Sequence, residues 1–98
     1  MYVTITGASH FLGIEALKPG RKVYFIKDKE NEYDEESIKV QSDTGATLGY
    51  VANSVNTVAK GTHSAGYVYN SFADQTEATI LFTVKGVALA QINNKKTK

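Results

Sequence analysis

Short runs in which apolar and polar residues alternate recur along most of this chain, and that period of two constrains the fold more than any other feature. Successive side chains of an extended strand point to opposite faces, so such runs make half-buried strands, not helices. Tyr2 to Thr6 alternates with Val3 and Ile5 inward, and Gly7 ends it. Lys22 to Lys27 follows, with an apolar centre from Val23 to Ile26 that suits a strand covered on both faces. Ser37 to Gln41 places Ile38 and Val40 inside and Lys39 outside, and Thr47 to Val51 returns across Asp43-Thr44-Gly45. Glycine in that link supplies the positive φ a tight hairpin needs. Thr79 to Lys85 puts Ile80, Phe82 and Val84 on one face, and Val87 to Ile92 offers a last strand.

Between Val51 and Gly61 the period changes. Val51, Val55 and Val58 recur at helical spacing, Asn53 or Ser54 offers a cap and Gly61 a stop, which predicts a helix of about two turns. Gly66 to Asn70 reads as a further short strand carrying Tyr67 and Tyr69, and Ser71 to Gln75 as a polar turn. Five to six short strands with one short inserted helix and no βαβ alternation predict a mainly β fold, a small OB-like antiparallel β-barrel. The chain length suits one domain, expected over residues 1–92, with 93–98 as a flexible basic tail.

Composition narrows the function classes. With no cysteine, neither a disulfide framework nor a thiolate zinc site can form. No apolar run approaches membrane-spanning length, so no membrane partner is expected and the default location is cytoplasmic. Net charge is +1, and it falls to −2 without Lys95, Lys96 and Lys98. A broad cationic face is therefore not expected, and any contact with nucleic acid must come from a local pocket.

Catalytic and metal-binding patterns are weak. The acidic stretch from Asp28 to Asp34 has alternate oxygen ligands, but Tyr33 stands where a twelve-residue calcium loop needs glycine. Ser9, His10 and Asp34 have the residue types of a hydrolytic triad, yet no nucleophile-elbow motif accompanies them. The glycines lack phosphate-loop spacing. These readings lead to an expectation of no enzyme activity and no cofactor. Aromatics in loops or at strand ends, namely Phe11, Tyr33 and Tyr50 with the neighbouring His10, are candidate stacking platforms for unpaired bases, although Phe11 and Tyr50 could equally be core.

The order Thr6-Gly7, Gly13, Gly20-Arg21-Lys22-Val23, Asn31-Glu32-Tyr33-Asp34, Ile38-Lys39-Val40 and Leu48-Gly49-Tyr50-Val51 resembles the HIRAN domain family, of the stand-alone bacterial or phage type. The likeness spans residues 2 to about 61 and is most specific in its Asn-x-Tyr-Asp turn and Gly-Tyr pair. It implies a module that captures the 3′ end of single-stranded DNA in repair or replication-fork processing. By the same resemblance, Tyr33 would stack on a terminal base, Asp34 would accept from the terminal hydroxyl, and Asn31 would shape their loop. Lys39 and Tyr50 would reach the last phosphates or flank the pocket, with Ser9, His10 and Phe11 against the nucleotide. The helicase-fused branch carries Arg-Tyr-Tyr at these last three positions, and a basic residue is common where Asn53 stands here. Prolines usual around the Asn-x-Tyr-Asp turn are Lys29 and Glu32 here. A helicase or nuclease acting in trans is the implied protein partner. The alternative reading is a protein-interaction adaptor for such an enzyme, docking through exposed strand edges.

Overall fold

The computed structural model describes residues 1–54 and 56–93. Its six strands, β1 (Tyr2–Thr6), β2 (Lys22–Lys27), β3 (Ile38–Gln41), β4 (Thr47–Val51), β5 (Gln75–Val84) and β6 (Val87–Ile92), close into one antiparallel barrel in the order β1-β4-β3-β2-β5-β6. The first strand shuts the ring by pairing with both β4 and β6. Closure leaves the wall few open edges, and the alternating residues meet on the axis: Val3, Ile5, Val23, Phe25, Ile38, Val40, Leu48, Ile80, Ala88 and Ala90 are all buried. Burying a large apolar side chain of this kind stabilises the fold by about 1.5–3 kcal/mol before entropy is counted.

Two positions show how sequence sets the wall. Gly45 adopts φ 89° in the β3–β4 hairpin, where its N–H donates to Ser42 O at 3.0 Å. Gly49 is needed for a different reason. A Cβ built there would stand 2.8 Å from the Thr6 carbonyl oxygen and 3.1 Å from Ile5 Cγ2, so only a glycine lets β1 lie this close to β4.

Three expectations change. The helix lies at α1 (Ala65–Val68), not between Val51 and Gly61. Ser64 caps it by accepting from the Tyr67 N–H at 3.1 Å, and Ala65 and Val68, one turn apart, are its buried residues, so the expected strand over 66–70 does not form. After Val51 there is instead a turn at Ser54, whose backbone oxygen accepts from Thr57 and Val58; Val55 lies outside the described residues. Valine and threonine stiffen χ1 and gain little from a lone exposed helical turn, whereas the Ser64 cap and two buried residues favour the later site.

The second change is that β5 begins at Gln75, because Gln75, Thr76 and Glu77 pair with β2 through backbone groups that carry no apolar signal. The third is an irregularity between Ile80 and Phe82 that inserts one residue and reverses the facing of the rest of the strand. Ile80 is buried, but Phe82 and Val84 are 49% and 45% exposed.

Asn93, expected to begin the tail, donates its N–H to Glu77 O at 2.9 Å and its amide to Glu77 Oε2 at 3.0 Å. Residues 94–98 lie outside those described. Among the described residues no helix is long and apolar enough to cross a membrane.

Candidate functional site

A hollow of about 550 Å³ lies at one rim of the barrel, between the β2–β3 loop and the segment leaving β4. Its far wall is the acidic loop, whose shape depends on Asn31. The Asn31 side-chain oxygen accepts the N–H groups of Tyr33 at 2.8 Å and Asp34 at 3.0 Å, which bends the chain without proline. Asp34 repeats the device one step on, its Oδ1 accepting the Glu36 N–H at 2.9 Å. The loop is closed at its base by the Asp28 N–H on Ser37 O at 2.8 Å.

Fixed in this way, the loop lifts Tyr33 into solvent. The residue is 95% exposed, so it contributes nothing to the core, yet its backbone is held. Asp34 is partly buried beneath it. Besides the Glu36 N–H, its carboxylate receives the Asn53 amide, at 3.4 Å and 3.5 Å. A carboxylate has about four acceptor positions, so capacity remains for a donor in the hollow.

Asn53 ties the two walls together. Its amide donates to Glu36 Oε1 at 3.2 Å, and its carbonyl accepts the Gly66 N–H at 2.8 Å, linking the loop to α1. Tyr50 forms the floor near the β1–β4 seam, and Phe11 lies against it with ring centroids 5.9 Å apart and planes at 52°. Phe11 is 39% exposed, so this pair is neither core nor fully open. Directly paired residues share a face, and Thr6, Tyr50, Lys39, Ile26 and Gln75 therefore make one outward row across five strands.

Of the nine residues singled out from sequence, Asn31, Tyr33, Asp34, Tyr50 and Asn53 line this one hollow. Phe11 joins it through Tyr50, and Lys39 stands beside Tyr50 on the outward row. Ser9 and His10 are exposed on a 3₁₀ turn, Ala8–His10, outside the lining. No hydrogen bond joins Ser9, His10 and Asp34, and among the described residues no group of three or more His, Asp and Glu is placed to hold a metal. Thr6, Ser37, Ser54 and Thr57 also line the hollow, although nothing in their local sequence marks them. Their hydroxyls lie at turns and a strand end, and only the barrel's closure brings them together.

The sequence matches the HIRAN domain family over residues 1–86. The fold is similar to the crystal structure of the HIRAN domain of human HLTF, with a TM-score of 0.66 and 18% identity, covering 94% of this chain and 71% of that one. It is also similar to the crystal structure of a protein from Lactobacillus plantarum, with a TM-score of 0.63 and 18% identity, covering 93% of this chain and 87% of that one. No curated protein matches the sequence. A family match across most of the length, on a barrel of the same fold, makes this chain a member of the HIRAN domain family.

Proposed function

We propose that this protein is a non-enzymatic module that receives the 3′ end of single-stranded DNA in the hollow beneath Tyr33, in the service of repair or replication-fork processing. HIRAN domains are DNA-binding modules. The observation that carries the reading is a tyrosine 95% exposed on a loop whose backbone is fixed by Asn31, standing above a carboxylate with unused acceptor positions. An exposed ring of this kind offers a face to a terminal base, worth on the order of 1–3 kcal/mol. Asp34 then accepts from the terminal hydroxyl, and Tyr50 and Phe11 bound the sugar.

The electrostatics favour a free hydroxyl. Asp34 and Glu36 stand together behind Asn53, so a terminal phosphate would bring further negative charge against two carboxylates. Lys39, on the row beside Tyr50, is the cation for the preceding phosphate.

Titrating labelled oligonucleotides that end in a 3′-hydroxyl or a 3′-phosphate tests this directly. Binding is expected for the hydroxyl end and should fall at least tenfold for the phosphate. Equal affinity for the two ends would remove the end-recognition claim.

A further inference from the structure

We propose that the DNA-binding surface continues past the end-binding hollow to a second aromatic platform, the stacked rings of His63 and Tyr67, with Lys60 meeting a phosphate between the two. The inference rests on the end-binding function proposed for the hollow and extends the footprint from a terminal nucleotide to a stretch of about four nucleotides.

The platform is built, not incidental. The two rings lie 4.1 Å apart with planes at 12°, and Tyr67 is 65% exposed although one of its faces rests on His63. The opposite face is thus presented to solvent. Both backbones are held: the His63 N–H donates to Tyr2 O at 2.8 Å, and the Tyr67 N–H to Ser64 Oγ at 3.1 Å. An oriented, exposed aromatic plane is what a base needs for sequence-tolerant stacking.

The platform is also continuous with the first site. Asn53 lines both the end-binding hollow and a second one of about 400 Å³, whose wall includes Lys60, Thr62 and Ser64. Ser64 directly follows His63 and caps the helix that carries Tyr67. Lys60 is set by a rigid turn. The buried Thr4 hydroxyl accepts the Ala59 N–H at 3.0 Å and lies 2.8 Å from the Thr62 hydroxyl, and Thr62 Oγ1 donates to Ala59 O at 2.7 Å.

Charge selects this path over its rivals. A strand leaving the hollow across the β2–β3 loop meets Glu30, Glu32 and Glu35. One that runs on past Lys39 beyond that first phosphate enters a depression where Lys29 is bound to Asp74 at 2.7 Å, Lys27 donates to Phe72 O at 2.8 Å, and Asp28 and Glu30 add negative charge. Lys60 is exposed and takes part in neither ion pair formed among the described residues.

The experiment is an anisotropy titration of the full chain with 5′-labelled oligothymidylates of two, four and six nucleotides bearing a 3′-hydroxyl. Affinity is expected to rise about tenfold or more between two and six nucleotides. Tyr67→Ala and Tyr67→Leu should each remove most of that rise, while Tyr67→Phe keeps it. Lys60→Ala should remove part of it and reduce the slope of log affinity against log salt by about one. Dinucleotide binding should be unchanged in all four variants. A rise with length that survives in Tyr67→Leu and Lys60→Ala, or disappears only in Lys39→Ala, would place the strand elsewhere. Binding that needs Tyr33 but ignores length overturns this inference alone, and no binding at any length overturns the end-binding function with it.

Discussion

The β1–β4 seam and the β2–β3 loop lie on either side of the same hollow and are held by opposite means. At the seam, Gly49 lets two backbones approach until Thr6 and Ile5 leave no space for a methyl group, and Ile5 and Leu48 are buried around it. In the loop almost nothing is buried. Asn31, Asp34 and Asn53 hold it with side-chain hydrogen bonds to backbone and to one another. The seam is a packing solution that tolerates no added volume; the loop is a polar scaffold on which an exposed ring stands. Damage to the first should therefore be read as lost stability, and loss of the ring that the second carries as lost binding.

Substitution at the seam has the largest expected effect. Gly49→Val should cost about 3 kcal/mol, seen as a lower denaturant midpoint, because neither backbone can yield. A loss below about 1 kcal/mol would show that the seam can open, and the contrast would fail. Asn53→Ala comes next, at about 1–2 kcal/mol, since it strands the Gly66 N–H and parts the loop from α1. Tyr33→Ala should change stability by less than about 0.5 kcal/mol, as expected for a ring that packs against nothing, while oligonucleotide affinity drops about tenfold. A large fall in midpoint would recast Tyr33 as part of the scaffold.

The smallest effect concerns Lys29 and Asp74, paired at 2.7 Å at the far end of the loop region. Their hydrogen bond and mutual attraction hold the Asp74 carboxyl below its usual range and push the Lys29 ammonium up. The Asp74 contribution is present above the ordinary carboxylate range and is lost as pH falls through its lowered value. That of Lys29 is complete below the ordinary lysine range and is lost as pH rises through its raised one. Both groups are exposed, so Asp74→Asn should leave the unfolding midpoint unchanged between about pH 5 and 8.

The same contrast decides how far each region is legible in the sequence. β1, β2, β4 and β6 are readable to the residue because apolar residues alternate toward the core, Val3 with Ile5 and Val23 with Phe25. β5 is not, since Gln75 to Glu77 are polar residues that extend the strand without an apolar period, and one inserted residue turns Phe82 outward. The helix is misplaced by periodicity because the valine spacing from Val51 to Val58 outweighs the quieter combination of the Ser64 cap with buried Ala65 and Val68. In the site, residues close in sequence, Asn31, Tyr33 and Asp34, carry a turn motif that can be read directly. The approach of Asn53, Thr57 and Thr6 to them exists only once the ring of strands is shut.

That ring has a consequence for architecture. Ile92 donates its N–H to Met1 O at 2.9 Å, and Tyr2 pairs with Gln91, so the first and last strands meet at one point of the barrel. A fold with adjoining ends can be spliced into a surface loop of a larger host without prying that host apart, or cut and rejoined to start elsewhere. Joining residue 92 to residue 2 through a short glycine linker and opening the Asp43–Gly45 turn should therefore preserve the barrel.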